Sequence, residues 1–165
     1  MTARAGSLLL VGRDAERVDD LARSLAKAGY RVETSPDGRR EGGETFDLVI
    51  CLVRAMDSLG DVVGLSSGAA DVLGLIDGAD PATDAVSAYG CGAASCIAFP
   101  VGEASLLAAV SAAVQCACER RTRSADYERF RRLMDQAPIG VFEIEGERIT
   151  YVNEYLVSAS KYSAT

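Results

Sequence analysis

The residues Gly12, Arg13 and Asp14 lie between an uninterrupted apolar run, Ser7 to Val11, and a helical pattern that starts directly after them. In a parallel sheet, ligands and chemistry gather at the carboxyl ends of the strands. Four stretches are therefore the candidate site: Gly12 to Asp14, Leu52 to Met56, Ile76 to Asp80, and Phe99 to Pro100. A phosphoryl-transfer centre there needs clustered carboxylates for a divalent cation, an acceptor, and a cationic side chain for the phosphoryl oxygens. Arg13 instead brings a fixed positive charge to the end of the first strand.

Other chemistry is excluded by what the chain lacks. It has no histidine, so Ser-His-Asp triads, Cys-His dyads, zincin helices and a phosphorylatable histidine are closed to it. Gly64-Leu65-Ser66-Ser67-Gly68 is spelled like a nucleophile elbow, but nothing can activate the serine, and it reads as a flexible loop. Gly90-Cys91-Gly92-Ala93-Ala94-Ser95 resembles part of a dinucleotide fingerprint, yet it precedes a strand, so no helix N-terminus would face a phosphate. Of the five cysteines, Cys116 and Cys118 lie two apart on a helix and point away from each other, while Cys51 sits inside an apolar strand. Small buried thiols are the expected state, with no metal and no cofactor.

The elements that must position the site follow from periodicity. After Ser7 to Val11, Asp14 is a good N-cap, and Val18, Leu21, Ala22, Leu25 and Ala26 recur at helical spacing until Gly29. Tyr30 to Thr34, Phe46 to Val53, Val72 to Ile76 and Cys96 to Phe99 supply four more strands. The glycines between Asp57 and Ala70 leave only a short, weak helix there. Asp80 with Pro81 opens a brief helix over Ala82 to Tyr89. Leu106, Leu107, Val110, Ala113, Val114 and Ala117 mark a further helix that can run, without Gly or Pro, to about Gln136. Strands alternating with helices imply an α/β fold with a five-stranded, doubly wound parallel sheet.

Length and charge set the frame. The chain has 165 residues, 48% of them hydrophobic, which allows one full domain and leaves a remainder too short for a second. The net charge is −7, with only Lys27 and Lys161 as lysines among 17 basic residues. That balance disfavours nucleic acid as the partner of this segment. An acidic, Lys-poor surface suits a salt-rich, halophilic cytoplasm, and a GC-rich genome would favour arginine equally. No leader pattern and no apolar run of about 18 residues is present, so no membrane contact and a cytoplasmic location are expected.

Over roughly residues 7 to 120 the chain resembles the receiver domain of two-component response regulators, a flavodoxin-like fold. The resemblance rests on "LLLVGRDAERV", "AGYRVETSPDG", "FDLVICLV", and the pair Gly92 and Ala93 before "SCIAFP". It implies an acidic pair where this chain has Gly12 and Arg13, leaving Asp14 beside them. It implies a phosphoacceptor aspartate at Leu52, a hydroxyl residue at Ile76, and a lysine at Phe99. It also implies a cis bond between Phe99 and Pro100. The phosphorylation pocket is thus degenerate, and no metal and no phosphoryl transfer are expected. Asp57 is the one plausible substitute acceptor nearby. Arg13 is either a solvated strand-end residue or pairs with Asp14 or Asp77 and locks the pocket.

Past residue 120, "CERRTRSADYERFRRLMDQ" reads as a charged helix in which Tyr127, Phe130, Leu133 and Met134 follow 3-4 spacing. That stripe packs either on its own domain or on a second copy. Val141 to Glu145 and Arg148 to Val152 alternate as a hairpin. The tail resembles the start of a PAS sensor domain, with "PIGVF", the hairpin, "ITYVN" ending in Asn153, and "YSAT" in that order. A lone hairpin is marginal in water and must pack on something.

The expected organisation is a receiver-like domain over 1–118, a connecting signalling helix over 119–136, and an N-terminal PAS fragment over 137–165. The expected function is that of a non-enzymatic pseudo-receiver in signal transduction. Its partners would be a second copy of the chain, as a homodimer, and other signalling proteins. Leu107, Val110, Val114, Tyr127, Phe130, Leu133 and Met134 would line the dimer and signalling helix. Four alternatives stand beside it: an active receiver phosphorylated on a relocated aspartate, part of a sensor histidine kinase, a small flavodoxin-like cofactor binder, and a purely structural dimerisation platform.

Overall fold

The structure, a computed structural model, describes residues 6–36, 45–53, 71–78 and 80–160. The chain divides into two compact units, Met1–Cys118 and Glu119–Thr165. The first contains β1 (Ser7–Val11), α1 (Ala15–Lys27), β2 (Arg31–Ser35), β3 (Leu48–Val53), β4 (Asp71–Ile76), α2 (Pro81–Gly90) and β5 (Ser95–Ala98). Helix α3 (Glu103–Gln136) starts in the first unit and ends in the second, which adds β6 (Phe142–Glu145), β7 (Arg148–Val152) and α4 (Glu154–Ser160).

The five strands form one parallel sheet in the order β2-β1-β3-β4-β5, as the alternating pattern predicts. Strand periodicity sorts the apolar side chains onto two faces. Leu8, Leu10, Leu48, Ile50, Leu73 and Leu75 meet Leu21 and Leu25 of α1 and Leu106 and Val110 of α3. Leu9, Val11, Val49, Cys51 and Val53 pack on the other face with Ala88 of α2. Both faces are covered, which is why the strands read as continuous apolar runs.

Boundaries differ from the sequence reading where hydrogen bonds claim a residue. Tyr30 does not start β2, because its N–H donates to Leu25 O while Gly29 N–H, at φ +96°, donates to Ala26 O. The two bonds close α1 in a Schellman cap, and the strand begins at Arg31. Phe46 is buried but precedes β3, since Asp47 N–H donates to Ser7 O and its carboxylate accepts from Ser7 N–H. Asp14 and Asp80 cap α1 and α2 as expected, and the Phe99–Pro100 bond is cis.

In the second unit, β6 and β7 pair antiparallel, and Gly146 turns between them at φ +63°. Two contacts answer what the hairpin packs on. Tyr151 Oη donates to Asp135 Oδ1 at 2.8 Å, and the Arg131 guanidinium lies 4.9 Å from the Tyr151 ring centroid. No helix among the described residues is long and apolar enough to cross a membrane.

Candidate functional site

The sheet order reverses between β1 and β3, and the crevice at such a reversal lies outside the carboxyl ends of those strands. A cavity of about 360 Å³ sits there, lined by Arg13, Asp14, Arg17, Leu52 and Asp77.

Each wall has a local cause. Gly12 ends β1, and its N–H donates to Ser35 O. A Cβ at Gly12 would stand 2.8 Å from Val18 Cγ2 and 3.2 Å from Leu52 Cβ. A side chain at that position fits only if Val18 or Leu52 shifts. Leu52 packs half-buried against the cluster of α1 and α3. Ile76 is buried at the end of β4. Phe99 N–H donates to Ile76 O, and Asp77 N–H donates to Val53 O. Pro100 is exposed beyond them.

The charge that organises the cavity belongs to Arg17, which the sequence reading did not single out. Asp14 Oδ1 accepts from Arg17 N–H at 3.3 Å as the helix cap, and Asp14 Oδ2 lies 3.4 Å from Arg17 Nε. An Arg17 terminal nitrogen donates to Asp77 Oδ2 in a short ion pair. The guanidinium carbon lies 5.8 Å from the Phe99 ring centroid. Arg17 thus ties the first turn of α1 to the loop after β4 and to the end of β5. The expectation that Arg13 pairs with Asp14 or Asp77 is corrected: Arg13 is exposed and forms no ion pair among the described residues. The available signal was helical spacing, since a residue three positions past an N-cap aspartate can fold back onto it.

Asp57, the substitute acceptor, and the Gly64 to Gly68 motif lie outside the described residues. No group of His, Cys, Asp and Glu able to hold a metal ion occurs among the described residues. The receiver resemblance implies a divalent cation at this crevice, but the donor set does not fit one. Asp14 and Asp77 are already joined to Arg17, and Gly12 and Leu52 offer no side-chain ligand.

The thiols also divide. Burial pushes the Cys51 thiol up to about 12, and it raises Cys96 in the same direction. Cys116 and Cys118 are exposed, which corrects the expectation of buried thiols. Both stand off the face of α3 that Val110 and Ala117 bury.

The residues expected along the dimer and signalling helix separate by unit. Val110 is fully buried, and Leu107 and Val114 pack against the same core. Those three face the sheet, because α3 must cover it there. Tyr127, Phe130 and Leu133 are exposed, and Met134 is half-buried.

In the second unit Asn153 is wholly buried. Its Oδ1 accepts from Val141 N–H at 2.9 Å and Leu156 N–H at 3.2 Å. Its Nδ2 donates to Met134 O at 2.8 Å and Ile139 O at 2.9 Å. One side chain therefore joins the end of α3, the segment after it, the hairpin and the start of α4. Beside it, desolvation raises the Tyr151 phenol, helped by the Asp135 hydrogen bond and charge and opposed by Arg131.

Solved structures that share this fold include receiver domains. The chain is similar to the signal receiver domain of a histidine kinase from Syntrophus aciditrophicus, at 24% identity over 67% of this chain and 91% of that one, with a TM-score of 0.56. A CheY-like receiver domain protein from Methanospirillum hungatei is 19% identical over 71% of this chain and 99% of its own, with a TM-score of 0.60. NtrX from Brucella abortus matches at 20% identity and a TM-score of 0.62 over 74% of this chain, which spans 29% of NtrX. No curated protein matches the chain. Residues 128–163 match the family model described as PAS domain. The chain thus carries the fold of response-regulator receiver domains, followed by a segment that matches the PAS domain model.

Proposed function

We propose that the chain is a pseudo-receiver, a cytoplasmic signalling module that does not accept phosphate. In this reading it relays signals to the PAS segment and to an output beyond it by protein contact and homodimerisation. The observation that carries the reading is the Arg17 bridge. A guanidinium already pairs with both carboxylates of the crevice, while Leu52 lines it where the resemblance puts the acceptor. Arginine remains charged at any physiological pH, so the positive charge beside the carboxylates is built into the chain, unlike an exchangeable cation. The dimer reading is supported by the exposed stripe of Tyr127, Phe130 and Leu133 on α3. The histidine-kinase receiver domain among the similar structures also allows this module to be part of a sensor kinase.

Intact-mass measurement after incubation with acetyl phosphate and Mg²⁺, run beside Asp57→Ala, tests the central claim. The expected result is no added phosphoryl group on either protein. An adduct on the parent chain that disappears in Asp57→Ala would identify a relocated acceptor and overturn the pseudo-receiver reading.

A further inference from the structure

The crevice at the strand ends has charged groups to spare. Arg13 lines it, is exposed, and forms no ion pair among the described residues. Asp77 gives only Oδ2 to Arg17, and its Oδ1 has no hydrogen-bond partner among the described residues. Asp77 is also the better shielded of the two carboxylates, at 22% side-chain exposure against 40% for Asp14. One guanidinium and one carboxylate oxygen thus line a cavity of about 360 Å³ with bonding capacity unused.

The charge of the lining selects the ligand. Arg13 and Arg17 bring two positive charges, and Asp14 and Asp77 bring two negative ones. A phosphate would meet Arg13 but also two carboxylates, and a divalent cation would meet two guanidinium groups. A ligand that is neutral overall and carries one charge of each sign avoids both conflicts. Sites for small molecules span roughly 300–1,000 Å³, and this cavity lies at the lower end of that range. Leu52, half-buried, supplies its apolar wall.

We propose that the crevice binds a free amino acid with an apolar side chain. The ligand carboxylate takes two edge donors of the Arg13 guanidinium, the ammonium donates to Asp77 Oδ1, and the side chain lies on Leu52. Arg17 prepares the site, because its bond to Asp77 Oδ2 fixes that carboxylate and leaves the other oxygen for the ligand. A ligand held by Arg13 and Asp77 connects the end of β1 to the loop after β4. The inference goes beyond the pseudo-receiver reading, giving the crevice a small-molecule input, and it does not require a dimer.

Isothermal titration calorimetry of the full chain against L-alanine, L-valine, L-leucine and L-phenylalanine tests it, with N-acetyl-L-leucine, L-leucine amide and inorganic phosphate as probes that keep one sign of charge. At least one of the amino acids is expected to bind with a Kd on the order of 0.1–1 mM, and the single-sign probes about tenfold more weakly or worse. Arg13→Met is expected to melt like the parent and to raise the Kd about tenfold or more. The proposal is overturned if none of the amino acids binds, if phosphate or the acetylated probe binds as tightly as the best of them, or if Arg13→Met binds like the parent. Its failure is distinct from that of the pseudo-receiver reading, which falls only with a phosphoryl adduct seen by mass.

Discussion

Replacing Arg17 by methionine keeps most of the side-chain volume and removes the charge that joins three elements at the strand ends. Its contacts set the size of the effect. The pair with Asp77 is the more protected, at 22% side-chain exposure for Asp77, whereas Asp14 and Arg17 are each 40% exposed. Ion pairs at such exposure contribute about 0.2–1 kcal/mol each, and a cation over an aromatic face contributes about 0.5–1 kcal/mol. The sum is a loss of about 1–3 kcal/mol, or a Tm lower by roughly 3–10 °C for a unit of this size. Arg13→Met, one turn earlier and without an ion pair among the described residues, is expected to stay within about 0.5 kcal/mol. Urea unfolding followed by circular dichroism measures both, and added salt should narrow the gap by screening the Asp14 contact before the Asp77 contact. Equal losses in the two variants, or a larger loss at Arg13, would show that the bridge does not hold the strand ends. Asp77→Asn separates the partners: if the bridge is real, its loss and that of Arg17→Met do not add.

Four further outcomes follow from the packing. Gly12→Ala drives a Cβ against Val18 and Leu52 and is expected to cost about 1–3 kcal/mol in thermal unfolding, as overpacking does; a neutral result would mean that α1 yields easily there. A thiol reagent at mildly alkaline pH should modify Cys116 and Cys118 rapidly and Cys51 only on unfolding. Below the ordinary thiol value of 9.0 both states keep the Cys51 proton, whereas above it the unfolded chain ionises first. Stability relative to Cys51→Ala should therefore fall by about 1.4 kcal/mol per pH unit on rising from 9.0 toward about 12. Asn153→Ala strands two carbonyls and two N–H groups and is expected to cost the second unit about 2–4 kcal/mol. Hydrogen exchange should quicken through the hairpin and residues 134–141 and remain unchanged in β1, β3 and β4.

The sheet was legible because burial on both faces leaves a plain mark, runs such as Leu8 to Val11 and Leu48 to Val53 with little polar interruption. The ends of β1, β3 and β4 came with it, at Val11, Val53 and Ile76, whereas β2 runs one residue further than expected, to Ser35, and β5 stops one residue sooner, at Ala98. Three things were not legible, and all depend on distance in the chain. Arg17 reaches Asp77 across 60 positions, and no local spacing says which of two neighbouring arginines will turn toward that loop. Asn153 is identified as a hub only once Met134 and Ile139 bring their carbonyls to it. Along α3 the apolar spacing looks uniform, yet Val110 is buried by the sheet while Phe130 has nothing over it.

These misses bear on function because they concern the same kind of choice. A receiver crevice that works by exchange needs carboxylates free to take up and release a cation. In this chain the two carboxylates lining the crevice are paired with a side chain tethered to α1, and a side chain at Gly12 would crowd Val18 and Leu52. Removing Arg17 alone would free Asp14 and Asp77 without supplying an acceptor at Leu52. Restoring an aspartate at Leu52 alone would place it beside a charge already committed elsewhere. Leu52→Asp with Arg17→Met is therefore the smallest change that returns free carboxylates to the crevice. In the pseudo-receiver reading that variant gains measurable Mg²⁺ affinity by calorimetry, while each single variant gains none. Mg²⁺ binding by the parent chain would refute it.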